Sequence, residues 1–275
     1  MDLLFKIQNL HYTYPDGTEA LKGIDLEILR GSKTAIIGAN GAGKSTLLLH
    51  LNGILSPRQG QVFFQGNQVQ YTRAYLMSLR QSVGIVFQDP DAQLFSSSVY
   101  QDISFGPVNM KLSGKEIELR VAQAMELTGI AGLAGKPTHL LSHGEKKRVA
   151  IAGVLAMNPE VIIFDEPTAG LDPQLSAEML ELLEALHDRG KTLICTTHDM
   201  DLAYAWADTC VVLGNGCVAA GGAPQKIFRD AAFLKANRLQ EPVALRVFQE
   251  LLKRRMIEDQ PTPPRNLEAL FACLK

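Results

Sequence analysis

Two short stretches hold residues whose types and spacing suit phosphate chemistry. "GANGAGKST", residues 38–46, places Gly38, Gly43, Lys44 and Ser45 in the pattern G-x-x-x-x-G-K-[ST]. Glycines let such a loop turn tightly, so that successive N–H groups, those of Asn40, Gly41 and Ala42 among them, point at phosphate oxygens. Lys44 would add a positive charge at the outer phosphates, and Ser45 a hydroxyl for Mg²⁺. Ser45 and Thr46 open a helix whose dipole favours an anion. "VIIFDE", residues 161–166, runs four apolar residues into two carboxylates. Packing gives a buried strand no reason to end in Asp-Glu. Asp165 suits Mg²⁺, which takes oxygen ligands and keeps several waters. Glu166 then stands where it could accept a proton from an attacking water.

Two more strand ends carry polar groups. His198 closes "LICTTHD", and Gln88 closes "VFQ" ahead of a proline-stopped loop. A lone histidine is usually a satisfied surface or core group, but ligands of open α/β sheets bind at the carboxyl ends of strands. Gln88 could sense Mg²⁺ or water, or be a plain loop amide. "LLSHGEKKRVA", residues 140–150, offers two readings. Ser142 and Glu145 match a capping box. The exposed N–H groups of the same helix start could also hold an anion.

The elements that would position these groups follow from periodicity. Residues 3–10 and 24–29 alternate as half-buried strands do, with "PDG" turning between them. "KTAIIG" is a buried strand feeding the glycine loop, and "STLLLHLNGI" a helix ending at Gly53. "GQVFFQGNQV" and "SVGIVFQDP" are strands. Residues 99–158 change character and read as a helical insertion. There Ser113 and Glu116 form a capping-box pattern, Ile117, Val121, Ala124, Met125 and Thr128 share a face, and Gly129 suits the stop. The α/β alternation resumes with "EVIIFDEP", a helix over 174–188, "KTLICTTHD", a helix around 200–207 and "TCVVLGNGCVAAGG". The tail holds two amphipathic helices. One has Pro242 as first helical residue and Ala244, Val247, Phe248, Leu251 and Leu252 on its apolar face. The other aligns Leu267, Leu270, Phe271 and Leu274. Terminal helices of this kind dock on their own domain more often than on another subunit.

Composition bounds the function. The 46% hydrophobic content in 275 residues supports a substantial core, and a formal net charge of −2 argues against a broad nucleic-acid surface. The four cysteines lack CxxC spacing, which fits inert thiols in a reducing compartment. The opening "MDLLFKIQNL" lacks the basic and apolar regions of a signal peptide. No apolar run reaches the ~18 residues of a membrane span. The charge runs at 146–148 and 253–255 read as solvated helix faces rather than anionic-lipid contacts.

GANGAGKS, FQDP, LSHGE, IIFDE, AGLD and THD, in that order, make residues 3–220 resemble the ATP-binding-cassette ATPases. The resemblance implies an α/β fold: a P-loop NTPase core, a mixed sheet flanked by helices, with a helical signature subdomain and a short C-terminal helical extension. It divides the chain into a cassette over 1–222, with its helical part near 95–158, and an extension over 223–275. It implies ATP and Mg²⁺ as cofactors, with Ser45, Gln88 and Asp165 as metal ligands. By the same likeness Tyr14 stacks on adenine, with Tyr12 the second choice, and Gln88 senses Mg²⁺ and a partner. Glu166 is the general base, Asp172 crosses a dimer, and His198 holds the γ-phosphate and the water. Ser142 and the N–H of Gly144 would reach the nucleotide of the opposite subunit. The usual Leu-Ser-Gly-Gly-Gln has become Leu-Ser-His-Gly-Glu here, so the contacts of His143 and Glu145 depart from the pattern.

"VFQDPDAQLFSSSVYQDISFGPVNMKL", "LSHGEKKRVAIAGVLAM" and "DEPTAGLDP" look like the ATPase subunit of energy-coupling-factor importers, nearest to the cobalt and nickel branch. That likeness implies a homodimer, or a heterodimer with a second cassette ATPase. The pair would lie peripherally on the cytoplasmic face of the cell membrane, under a membrane coupling protein and a substrate-binding membrane subunit. A shared ATPase of a vitamin importer is the alternative. A soluble cassette ATPase acting on nucleic acid would ordinarily need paired cassettes or basic arms. A small-molecule kinase would not need LSHGE or AGLD.

Overall fold

The structure is a computed structural model that describes residues 2–258 and 262–273. The chain opens with a long hairpin, β1 (Leu3–Thr13) and β2 (Glu19–Leu29). Its turn is closed by the Asp16 carboxylate, which accepts from the N–H of Thr18 at 2.9 Å. β3 (Lys33–Ile37) runs into the glycine loop and α1 (Lys44–Leu51). β4 (Gln59–Phe64) and β5 (Asn67–Gln68) return to the hairpin, and α2 (Arg73–Ser82) leads to β6 (Val83–Val86). Three helices follow: α3 (Val99–Asn109), α4 (Gly114–Leu127) and α5 (His143–Leu155). The sheet resumes with β7 (Val161–Asp165), α6 (Pro173–Asp188), β8 (Thr192–Thr197), α7 (Met200–Trp206), β9 (Thr209–Gly214) and β10 (Cys217–Gly222). Four short helices end the chain: α8 (Pro224–Ile227), α9 (Ala231–Ala236), α10 (Val243–Lys253) and α11 (Leu267–Ala272).

The strands form two sheets. The larger has the order β10-β9-β3-β8-β7-β6, parallel except for its antiparallel edge β10. It is the expected mixed sheet. The hairpin, β4 and β5 make a separate four-stranded antiparallel sheet, β2-β1-β4-β5, which periodicity alone did not set apart. Successive residues of a strand face opposite ways, and both faces of the larger sheet are buried. Ile36, Val161, Ile163 and Ile194 pack with α1 and the antiparallel sheet. Ala35, Ile37, Ile162 and Phe164 pack on the other side with α6, α7 and the tail. A third cluster, built from Val99, Ile103, Val121, Met125, Val149 and Ala152, holds α3, α4 and α5 together.

Register places the site. Val86 pairs with Phe164, Asp165 with Thr196, and Ile37 with Thr197. The carboxyl ends of β3, β6, β7 and β8 therefore finish side by side. Their next residues, Gly38, Phe87 with Gln88, Glu166 and His198, emerge along one edge, where open parallel sheets bind ligands.

Several local expectations change. β1 does not alternate cleanly: Asn9 has φ +46° at a register shift between Ile7 and Leu10. Ser113 does cap α4, accepting from Glu116 N–H at 3.3 Å, but the Glu116 carboxylate takes Arg120 at 2.6 Å instead of closing the box. Pro242 is the residue before α10, with ψ 138°, not its first helical residue. The buried face of α10 is Ala244, Leu245 and Phe248, while Val247 is exposed. Leu245 joins the main core, so this helix docks on its own chain. On α11 only Leu270 is buried; Leu267 and Phe271 are exposed, and Leu274 lies outside the described residues. The run at 146–148 is not a solvated face. Lys146 pairs with Asp91 at 2.6 Å, Arg148 pairs with Glu178, and Lys147 is fully buried. The run at 253–255 is exposed as expected.

Candidate functional site

The glycine loop has the backbone its sequence calls for. Gly38 has φ +153°, and a Cβ there would collide with the Leu213 carbonyl oxygen. Gly43 has φ +98°, and its Cβ would lie 2.6 Å from the Ala20 carbonyl oxygen. Only glycine meets both demands. The loop therefore presses against the β2 and β9 ends, and its residues with the start of α1 line the cleft. Lys44 lies across the loop, its ammonium donating to the carbonyls of Gly38 at 2.8 Å and Ala39 at 3.3 Å.

Around this loop is a cleft of about 900 Å³ lined by Tyr14, Gly38, Asn40, Gly41, Ala42, Gly43, Lys44, Ser45, Thr46, Gln88, Glu166 and His198. Tyr14 reaches Thr46 through a 3.0 Å hydroxyl–hydroxyl hydrogen bond, while Tyr12 is wedged edge-on between Tyr14 and His50. So Tyr14 faces the cleft and Tyr12 stands behind it. Burial holds the His50 imidazole below the usual histidine range, favouring its neutral form.

Glu166 is built from several directions. It is a non-glycine residue at φ +51°, a left-handed conformation uncommon outside glycine. Its N–H donates to Thr196 Oγ1 at 3.0 Å, and Thr196 in turn donates to Asp165 Oδ1 at 2.5 Å. Its carbonyl accepts from Lys147 Nζ at 3.1 Å. Its carboxylate meets His198 Nδ1 at 2.6 Å, the glutamate nearly buried and the imidazole 66% exposed. The carboxylate can only accept, so the imidazole nitrogen donates to it, and the shielded Glu166 oxygens remain proton acceptors for a water brought into the cleft.

Ser45, Gln88 and Asp165 offer hydroxyl, amide and carboxylate oxygens, the donor chemistry Mg²⁺ prefers. Asp165 sits one residue behind the cleft wall, its Oδ1 already bonded to Thr196. Among the described residues no three His, Cys, Asp or Glu side chains group closely enough to cage a metal. Oxygen donors of this kind suit an ion that brings phosphate and water ligands with it.

Ser142, Gly144 and Asp172 do not line this cleft. Ser142 caps α5 in a full capping box: its N–H donates to Glu145 Oε2 at 2.7 Å, and its Oγ accepts from Glu145 N–H at 3.3 Å. The Ser142 hydroxyl proton stays available to an outside acceptor. Glu145 also takes Lys136 at 3.1 Å. The Ser142 N–H, then Lys136, hold its carboxyl below the usual carboxylate range. The departure from glutamine is thus absorbed inside the subunit. Gly144 is pressed against Leu175, where a Cβ would lie 2.9 Å from Cδ1, and His143 lies over Gly170. Asp172 caps α6, accepting from Leu175 N–H at 2.8 Å.

Some groups at the site had little sequence signal. Arg238, Leu239 and Gln240, from the tail, line the cleft, as do Met200 and Thr18 to Ala20. Lys147 was hidden in a charge run, and Thr196 in an apolar strand. Phe87 faces a second hollow while Gln88, the next residue, faces the first. That hollow, about 520 Å³ between α2, β6, α3 and α5, includes Met77, Phe95, Phe105 and Met157. Phe95 and Phe105 pack edge-on at 4.7 Å and are 65% and 50% exposed.

A P-loop beside strand-end acid and histidine groups, with a capped helix start and an aspartate held apart from them, is the arrangement of an ATP-binding cassette. Residues 21–169 match the ABC transporter family. The chain belongs to that family, whose cassettes hydrolyse ATP to drive transport. It is 51% identical over 242 residues to the energy-coupling factor transporter ATP-binding protein EcfA2 of Clostridium perfringens, covering 88% of this chain and 85% of that one. It is similar in structure to cbiO1 from Clostridium perfringens, part of the ABC transporter complex cbiONQ: TM-score 0.77, 48% identity, covering 92% of this chain and all of that one. A dimeric cassette in a post-hydrolysis state, bound to ADP and Pi, matches with TM-score 0.74 and 28% identity over 80% of this chain and 99% of its own.

Proposed function

We propose that this chain is the motor of an energy-coupling-factor importer that hydrolyses ATP as a dimer to drive uptake of a transition-metal ion, cobalt or nickel. The observation that carries it is the split site. Lys44, Gln88, Glu166 and His198 converge on one cleft, while Ser142, Gly144 and Asp172 lie outside it on the same subunit. A second cassette, identical or not, would supply those three across the interface and complete the phosphate cage. The likeness of its sequence to the cobalt and nickel branch of these importers is what supports a metal-ion cargo. The cargo itself would be bound by a membrane subunit, not by this chain.

In this reading Tyr14 stacks on adenine, and the loop amides with Lys44 neutralise the phosphates. Mg²⁺, held by Ser45, Gln88 and Asp165, would supply charge stabilisation on the β- and γ-phosphates when bound. Glu166 takes the proton of the attacking water, and His198 orients water and γ-phosphate. Catalysis is then positioning plus electrostatics. The cassette spans 1–222 and the extension 223–275.

Among the described residues no helix is long and apolar enough to cross a membrane. In this reading the chain lies peripherally on the cytoplasmic face of the cell membrane, held there by its partners. The hollow carrying Phe95 and Phe105 suits an apolar helix of a membrane coupling protein. Through adjacent Phe87 and Gln88 its occupancy would reach the nucleotide.

The test is a native pull-down of the lightly tagged chain from gently solubilised membranes, with mass spectrometry and bound-metal analysis. A small coupling protein with a metal-loaded membrane subunit supports the proposal. A second, different cassette ATPase accompanied by varied, metal-free substrate subunits would replace metal uptake with a shared vitamin importer.

A further inference from the structure

Lys147 is a charged side chain with no exposed surface. Burying an ammonium costs desolvation and persists only where its donors find partners. Here they find two backbone carbonyls, Glu166 O at 3.1 Å and Ala169 O at 3.0 Å. Those carbonyls bracket the turn that follows β7, which is also closed by Ala169 N–H donating to Glu166 O at 3.2 Å. Thr196 holds the N–H side of Glu166, and Lys147 holds its carbonyl side. Between them they hold a peptide frame at φ +51°, which non-glycine residues adopt only uncommonly. The direction of the Glu166 carboxylate, and so its contact with His198, follows from that frame.

We infer that Lys147 is a positioning residue for Glu166, fixing the turn 166–169 from within α5 so that the carboxylate faces the cleft. The inference rests on the proposed role of Glu166 as the base. It adds a structural link. Ser142 and Gly144, at the start of the same helix, face away from their own cleft, and Lys147 lies one turn further on. One helix therefore carries the groups offered to the opposite nucleotide and the group that holds its own subunit's base. Gly144 against Leu175 and His143 over Gly170 press that helix start onto the same connection between β7 and α6.

The test uses the full chain and compares Lys147→Met, which keeps the stem and loses the donors, with Lys147→Gln, which keeps donors on a shorter stem, and with Glu166→Gln. Steady-state ATPase and equilibrium binding of a fluorescent ATP analogue are read together. For Lys147→Met, kcat should fall roughly tenfold or more, as displaced catalytic groups do, with KM and analogue affinity within about twofold. Lys147→Gln should recover part of the rate. In single turnovers the Lys147→Met/Glu166→Gln double variant should be no slower than Glu166→Gln alone, because a positioning group has nothing left to position; a general loss of structure would slow it further. A Lys147→Met rate within about twofold of the parent, beside an inactive Glu166→Gln, overturns the inference and leaves the base assignment standing. Parent-like turnover by Glu166→Gln brings down the base assignment itself. Should Lys147→Met fail to fold, Lys147→Gln is held to the same criterion: a kcat lowered at unchanged KM supports positioning by the full-length donor, and a parent-like kcat, or a loss confined to KM, overturns it.

Discussion

In the proposed mechanism Glu166 concentrates the chemistry in one side chain. It is almost excluded from solvent, its backbone is held in the left-handed region, and its carboxylate touches His198 at 2.6 Å. Replacing it with glutamine keeps the size and the hydrogen-bonding reach but removes the proton acceptor. Turnover should fall by about 10²–10⁴-fold, with ATP affinity little changed, since Lys44 and the loop amides are untouched; paired kcat and binding measurements check this. Lys147 yields a second expectation at this scale. Burial pushes its ammonium down to about 8 from the usual 10.5, against the pull of Glu166 and Asp165. Between those values the unfolded chain binds more protons than the folded one, so this residue makes stability rise with pH. The urea midpoint of the parent, relative to that of Lys147→Met, should therefore move upward from pH 7.5 to 9.5. A relative shift in the opposite direction contradicts the buried, proton-poor lysine.

The elements differ in how openly their sequences declare them. β3, β7 and β8 are short apolar runs that stop abruptly at glycine, carboxylate or histidine, and those stops carry function because parallel strands end together. The start of α5 was equally open: Ser142 three residues ahead of Glu145 predicts the capping box that forms. Ser142→Ala should cost about 0.5–2 kcal/mol of stability, measured by denaturant unfolding. If the hydroxyl also serves a neighbouring nucleotide, kcat should fall at unchanged monomer binding. Residues 99–158 read as helical as a whole, but α3 was not bounded within them, because Gly106 and Pro107 sit inside it, residues that argue against a helix. Gly106 is needed because a Cβ there would lie 2.5 Å from Met157, so close packing overrides propensity. Lys147 was hidden for a related reason. α5 is buried nearly all round, at Lys147, Val149, Ala150, Ile151, Ala152 and Val154, and such a helix has no polar face from which to infer where its charges point. Which of two adjacent lysines turns inward is decided by the turn beyond β7, which lies in a different part of the chain.

At the scale of the molecule, the tail belongs to the cassette's working surface as well as to its stability. Ile227, Phe228, Leu234 and Leu245 complete the core beside α7, and Arg265 donates to the Tyr204 carbonyl at 3.0 Å. Between these anchors, Arg238 to Gln240 run along the rim of the nucleotide cleft. Arg238 has φ +57°, and the Leu239 N–H is tied back to the Leu234 carbonyl at 2.8 Å, so the segment is held in place rather than draped. Lys44 and Arg238, two cations from distant parts of the chain, line the same cleft. Whatever binds the folded state alone stabilises everything that closes around it. ATP should therefore slow amide exchange over 237–240 together with the glycine loop. Arg238→Ala should weaken ATP binding by roughly two- to fivefold, the scale of one exposed charge contact, and leave the melting temperature without nucleotide nearly unchanged. Protection of the glycine loop with no change at 237–240 would mean that the tail borders the cleft without sensing its contents.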